Sequence, residues 1–346
     1  MLNSKEIMKE LKKYVVGQDE YVRQLSIFGY KHQLNQKLIE EGKKPVNNNL
    51  LVAGPTGTGK TFGAKKLAEI IDIPFVEFDC SNIVQTGYKG TTTVEHILKD
   101  AKEQLGRGVF HSIIYLDEFD KVYDPALDHR GDGPAQQQNF LKILEPNKIT
   151  VSRYREDSSG FVIDTSGISY IATGSFDYVR KNMRNTQQNR MGFATVDQKG
   201  EGSLTKADII EAGYLPELIG RFGTLVNIND LTEEDYYNIL LKSKDSSYTQ
   251  YKDFFEATGV KLNVSKKVFE YLAKKAREIN TGARGLTEAL NKPLDDCVFE
   301  ISCDETIGSI YLKMESDRIV AEYDHKGRKQ SDADMPVLND REIFEV

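Results

Sequence analysis

The sequence predicts an α/β fold, with a five-stranded parallel sheet in a large N-terminal domain and a smaller, mostly helical C-terminal domain. Three observations predict it. Short apolar runs alternate with helical patterns from residue 49 to about residue 230, the order that builds a parallel sheet. A glycine-rich turn joins the first of these strands to the first of these helices. Beyond Asp230 the alternation gives way to charged, amphipathic helices.

Taken in order, residues 4–40 read as helix, turn and helix. Ser4 is the expected N-cap ahead of Ile7, Leu11 and Tyr14, which repeat at helical spacing. Val15-Val16-Gly17-Gln18 interrupts that pattern, and residues 20–39 resume it. Residues 41–49 are polar, hold Gly42 and Pro45, and form a loop. Strands are expected at 50–53, 75–79, 112–117, 168–174 and 225–228, with helices at 61–71, 92–105 and 135–144. Residues 179–203 are rich in Asn, Gln, Arg, Lys and Gly and show no period, so a long loop, functional or disordered, is expected. Thr232-Glu233-Glu234 has the composition of a helix start. Helices follow at 232–257, 265–279 and from 285 to about 301, then a hairpin at 309–314 and 318–323. These boundaries predict a nucleotide-binding domain over 1–230, a small domain over 231–323 and a mobile tail over 324–346.

The glycine-rich turn is Gly54-Pro55-Thr56-Gly57-Thr58-Gly59-Lys60-Thr61, a complete P-loop between an apolar strand and a helix. Its glycines let successive backbone N–H groups face one anion, at the positive end of the following helix. Lys60 is expected to reach the β- and γ-phosphates of ATP, and the Thr61 hydroxyl to hold Mg²⁺. Farther on, Ile113-Ile114-Tyr115-Leu116 ends in Asp117 and Glu118. Beside a P-loop, the first acid anchors Mg²⁺ and the second polarises the attacking water. Asp117 is therefore the expected metal acid and Glu118 the expected catalytic base.

Composition narrows the partners. Lys and Arg number 46 against 53 Asp and Glu, a net charge of −7, which argues against a generic duplex-binding surface and for a protein partner. No apolar run approaches the roughly 18 residues of a membrane helix, and the N-terminus lacks the apolar core of a secretory signal. The 3 cysteines, Cys80, Cys297 and Cys303, have no metal-ligand spacing. A cytoplasmic protein is the expectation.

Six motifs together carry a family resemblance: Tyr14-Val15-Val16-Gly17-Gln18, the P-loop, Gly87-Tyr88-Lys89-Gly90, Leu116-Asp117-Glu118-Phe119-Asp120-Lys121, Leu215-Pro216-Glu217-Leu218-Ile219-Gly220-Arg221 and Gly282-Ala283-Arg284-Gly285-Leu286. The chain resembles AAA+ protein unfoldases of the Clp group, ClpX-like over nearly its whole length. The resemblance implies a homohexameric ATPase ring that threads unfolded or tagged proteins into a ClpP-type peptidase, with neither membrane nor nucleic acid as partner. It implies that Val15 and Val16 contact adenine, that Thr173 is the first sensor, that Arg221 is the arginine finger and that Arg284 is the small-domain sensor. Gly87, Tyr88, Lys89 and Gly90 resemble the aromatic pore loop; family members carry a small apolar residue where this chain has Lys89, a change that favours acidic segments. Met191-Gly192-Phe193, an apolar tripeptide in a polar stretch, resembles the peptidase-docking loop. Arg153-Tyr154-Arg155 lies where the family has a basic loop at the channel entrance. Family members usually begin with a four-cysteine zinc domain that this sequence lacks, whether by truncation or by nature. A remodelling ATPase without a peptidase is the alternative, and a nucleic-acid motor a more distant one.

Overall fold

The computed structural model describes residues 1–81, 94–123, 133–151, 161–190 and 203–326. They form two compact units. The first comprises Met1–Leu11, Glu20–Pro55 and Lys60–Asn229, and the second Lys12–Asp19, Thr56–Gly59 and the described residues from Asp230 onward. The pore-loop residues Gly87, Tyr88, Lys89 and Gly90, the tripeptide Met191, Gly192 and Phe193, the basic Arg153-Tyr154-Arg155 and the end of the tail from residue 327 lie outside the described residues.

In the first unit the strands are β1 (Leu50–Ala53), β2 (Phe75–Asp79), β3 (Ile113–Asp117), a separate hairpin of β4 (Lys148–Val151) and β5 (Phe161–Asp164), then β6 (Ser169–Gly174) and β7 (Thr224–Asn227). Five of them make the expected parallel sheet, in the order β2-β3-β6-β1-β7. β1 and β6 are buried at every residue, as strands covered on both faces must be. Ala53 pairs with Gly174 and Leu116 with Ala172, so the carboxyl ends of β1, β3 and β6 lie side by side. Ligands bind at that edge of an open α/β sheet.

Several elements depart from the sequence expectation. The first helix, Ser4–Leu11, is capped by Asn3 rather than Ser4: Asn3 Oδ1 accepts from the N–H groups of Lys5 and Glu6, and Glu6 Oε2 accepts from Asn3 N at 2.8 Å. Residues 177–190 are helical where a loop was expected. The segment contains neither Gly nor Pro, and among its described side chains (177–183) Val179 and Met183 pack on the core. One i,i+4 pair is too little to show a period. The Phe176 N–H and Ser175 hydroxyl both bond to Asp120 Oδ2, which fixes the chain just ahead of this helix. The β4–β5 hairpin also escapes the sequence reading, because its strands are four residues each and Val162 is exposed.

In the second unit, Thr232 and Asp235 form a capping box for the helix Glu233–Lys242, in line with the composition there. The helix expected over 232–257 breaks at Ser243: Lys244 N bonds to Lys13 O at 2.9 Å, Ser243 Oγ to Tyr14 O at 2.7 Å, and Ser246 caps a new helix, Ser247–Ala257. Helices Lys266–Ile279 and Arg284–Cys303 complete the helical part. A third strand, β8 (Lys261–Val264), runs parallel to β9 (Ile307–Glu315), which forms the expected hairpin with β10 (Arg318–His325). β8 is invisible in the sequence because its partner strand is more than 40 residues away.

A buried histidine in the first unit makes stability depend on pH. His32 is fully buried, with Nδ1 2.8 Å from Ser169 Oγ and Nε2 3.3 Å from the His111 carbonyl. Burial lowers its pKa from 6.5 to about 4, opposed in part by the His111 carbonyl. The folded pKa lies below the unfolded one, so this contribution is complete above pH 6.5 and is lost as pH falls from there toward 4. Urea unfolding at pH 7 and pH 4.5 is expected to show an acid penalty from this group of up to about 3 kcal/mol, and His32→Gln to remove that component. An unchanged pH dependence in the variant counts against it.

Candidate functional site

The carboxyl end of β1 leads through Gly54 and Pro55 into the helix Lys60–Ile71. Lys60 is buried, and its ammonium donates to the carbonyls of Gly54 and Pro55, each at 2.6 Å. The Tyr21 hydroxyl bonds to the Lys60 carbonyl from the second long helix, Asp19–Glu40. Thr61 follows on the first turn, 3.0 Å from the Tyr115 hydroxyl and 3.5 Å from Asp117 Oδ2.

β3 and β6 supply the rest. Thr173, fully buried, donates to Asp117 Oδ1 at 2.8 Å and lies 2.9 Å from the Tyr115 hydroxyl. Thr61, Tyr115, Asp117 and Thr173 thus form one closed hydrogen-bonded cluster at the carboxyl edge of the sheet. Sequence reasoning singled out three of these residues and missed Tyr115, whose place inside an apolar strand reads as plain core.

Glu118 follows Asp117 in a left-handed conformation, φ 50° and ψ 36°, which costs a non-glycine residue roughly 1–2 kcal/mol. What offsets that cost is Phe119, fully buried with edge-on ring contacts to Phe140 and Phe222, each at 5.3 Å between centroids. Burying such a ring contributes about 2–3 kcal/mol. The turn leaves the Glu118 side chain exposed beside the cluster, and the Asp117 carboxylate caps its N–H at 3.0 Å. Partial burial raises the Glu118 pKa, reinforced by Asp79 and opposed by Lys121. A carboxylate so shifted is a better proton acceptor than an ordinary glutamate.

The donor set fits a nucleoside triphosphate with a magnesium ion. One hydroxyl (Thr61) and one carboxylate (Asp117) lie within 3.5 Å of each other, hard oxygen ligands of the kind Mg²⁺ takes beside phosphate oxygens and water. Tyr115→Phe is expected to keep the fold and to raise the Mg²⁺ concentration needed for half-maximal ATPase activity by about tenfold, because orienting partners of ligands contribute on that scale. A magnesium titration of the two proteins checks this.

Residues 56–59 belong to the second unit. There Gly57 has φ +77°, its carbonyl accepts from Ala283 N at 2.8 Å, and a Cβ would sit 2.2 Å from the Thr281 carbonyl oxygen, so only glycine fits. Gly59 has φ +89° in open space. Arg284, the first residue of the helix Arg284–Cys303, is exposed; Val15 is buried and Val16 half-buried.

Arg221 stands apart from the cluster. It follows the short helix Pro216–Gly220 and precedes β7, whose first residue Thr224 pairs with Leu50, the first residue of β1. The P-loop follows the last residue of β1. Arg221 and the Thr61–Tyr115–Asp117–Thr173 cluster therefore lie at opposite ends of the same strands, separated by about 13 Å of β1 at roughly 3.3 Å per residue.

Comparison with known proteins places this geometry. Residues 46–225 match the AAA domain (Cdc48 subfamily), and residues 231–309 match the C-terminal, D2-small domain, of ClpB protein. The chain is similar to the ATP-dependent Clp protease ATP-binding subunit ClpX of Bacteroides thetaiotaomicron, 32% identical over 317 residues, covering 86% of this chain and 76% of the relative. The ClpX subunit of Treponema denticola is 31% identical over 85% of this chain and 76% of its own length. That of Borrelia duttonii is 30% identical over 90% of this chain and 77% of its own length. Among the described residues no helix is long and apolar enough to cross a membrane. A P-loop edge carrying Lys60, Thr61, Asp117 and Glu118, and relatives that match along most of both lengths, lead to one conclusion: the chain belongs to the ClpX family of Clp-group AAA+ ATPases.

Proposed function

We propose that this ATPase assembles as a homohexameric ring in the cytoplasm, unfolds tagged or unfolded protein substrates, and threads them into a ClpP-type peptidase. The observation that carries the ring is the position of Arg221. A guanidinium at the amino end of β7 is remote from the P-loop of its own chain, so a role in hydrolysis requires a neighbouring subunit's site. An interface that repeats head to tail must close into a ring to be finite.

Within each subunit each motif takes its own part. The backbone of Pro55, Thr56, Gly57, Thr58 and Gly59 and the Lys60 ammonium hold the phosphates, while Val15 and Val16 contact adenine. Thr61 and Asp117 hold Mg²⁺, which when bound neutralises charge on the phosphate oxygens. Glu118 accepts the proton of the attacking water. Thr173, bonded to Asp117, fixes that carboxylate and reads the state of the terminal phosphate. Arg221 of the adjacent subunit meets the charge that develops on the transferred phosphoryl group, and Arg284 couples the small domain (231–323) to nucleotide bound by the large one (1–230). Tyr88, flanked by Gly87, Lys89 and Gly90, grips the polypeptide by apolar area. Met191, Gly192 and Phe193 dock the peptidase.

The test is degradation of a tagged, folded fluorescent reporter with ATP, with and without ClpP. Loss of fluorescence that needs ATP and intact Tyr88, with peptide release only when ClpP is present, is the expected result. Unfolding without peptide release under any ClpP condition points instead to a stand-alone remodelling ATPase. Stimulation by single-stranded DNA and not by unfolded protein overturns both.

A further inference from the structure

Three sets of contacts hold Arg221 in place. Its Nη2 is ion-paired with the Glu145 carboxylate. Its carbonyl accepts from Asn47 Nδ2 at 2.9 Å and from Asn49 Nδ2 at 3.2 Å. The next two carbonyls, of Phe222 and Gly223, accept from the Lys206 ammonium. Three consecutive carbonyls are therefore fixed by side chains, while Arg221 Nε is buried with no acceptor.

Asn49 links the two members of the ion pair. It is buried, and the amide nitrogen that bonds the Arg221 carbonyl also donates to the carbonyl of Leu144 at 3.0 Å, one residue before Glu145. Its Oδ1 accepts from Tyr170 N at 3.2 Å. One side chain thus ties the backbone carrying Glu145, the backbone carrying Arg221 and strand β6 to the start of β1. An incidental surface ion pair contributes little and comes with no such mount.

We propose that Glu145 is a positioning residue for Arg221: with the two backbones set by Asn49, its carboxylate holds the guanidinium in the orientation offered to the neighbouring subunit. The guanidinium carries five N–H donors, so pairing at Nη2 does not exhaust it. This inference rests on the reading of Arg221 as acting in trans. It also gives β1 two tasks, ending in the subunit's own P-loop and beginning at the residue that seats the arginine for the next subunit.

The test uses the whole chain in mixed assemblies. Glu145→Gln keeps the side-chain shape and removes the charge; it is expected to lower the kcat for ATP by about tenfold, within the cost of misplacing a positioned group, with KM changed less than twofold. The distinguishing measurement is complementation with Glu118→Gln subunits, which lack a base and keep an undisturbed Arg221. In an equal mixture half of the Glu145→Gln pockets face such an arginine, so activity per Glu145→Gln subunit is expected to rise about fivefold over the pure variant. A merely structural defect stays inside its own subunit and does not respond. Arg221→Ala mixed with Glu118→Gln is the control for the trans reading. If the control is rescued while Glu145→Gln is either not slowed or not rescued, the positioning role is overturned. If the control itself is not rescued, the trans reading fails and takes this inference with it.

Discussion

Arg221→Ala is expected to leave ATP bound and to slow its hydrolysis by about 10³-fold or more, the range over which a trans-acting arginine contributes. The reasoning is electrostatic. Charge grows on the phosphoryl oxygens only as the transition state forms, so a guanidinium aimed there changes kcat and leaves ground-state affinity almost untouched. Lysine at this position is not a substitute, because a point charge lacks the planar fork that matches phosphate oxygens. Nucleotide affinity measured with a fluorescent ATP analogue, beside steady-state turnover, separates the two terms. Turnover within a few-fold of the parent chain would remove Arg221 from the reaction and with it the physical case for a closed ring.

Glu118→Gln is expected to lower turnover by about 10²–10⁴-fold, the usual contribution of a general base, with ATP affinity unchanged. The substitution keeps the side-chain volume and the left-handed turn at residue 118, whose conformation is secured by Phe119 in the core rather than by the carboxylate. Protein stability should therefore stay close to that of the parent, and a thermal melt alongside the rate assay makes a folding artefact visible. The raised pKa of Glu118 adds a sign to the pH profile: as pH falls, the base is protonated earlier than an ordinary glutamate, so activity drops at a higher pH than it would with an unshifted carboxylate.

The legible part of the site is the part that is local in the chain. Gly54 to Thr61 is a contiguous pattern between a strand and a helix, and Asp117 with Glu118 closes an apolar run; each carries its meaning within eight residues. Thr173 could be placed at the end of its strand, although only the register of β3 against β6 brings it to Asp117. Tyr115 could not be recognised, because a tyrosine inside Ile-Ile-Tyr-Leu differs from core only through the two hydroxyls it meets, Thr61 on the helix after the glycine-rich turn and Thr173 on β6. The same limit hides Glu145: its bond to Arg221 spans 76 positions, and an isolated glutamate after a helix carries no signal. The Asn3 cap was missed by one residue, since Asn and Ser at adjacent positions are both good caps and only the Glu6 carboxylate, returning to Asn3 N, decides between them.

By itself the sequence determined the fold class, the glycine-rich turn after the first sheet strand and the pair of acids that ends the apolar run at 113–116, because hydrophobic periodicity and short-range backbone chemistry act over a few residues and leave their mark in order. The tertiary structure alone decided which end of the sheet each group occupies. Parallel pairing of β1 with β6 and β7 puts Lys60, Asp117 and Thr173 at one edge and Arg221 with Glu145 at the other. Strand direction and register are set by packing among elements far apart in the chain, and that packing separates the cluster around Asp117 from the ion pair of Arg221 with Glu145.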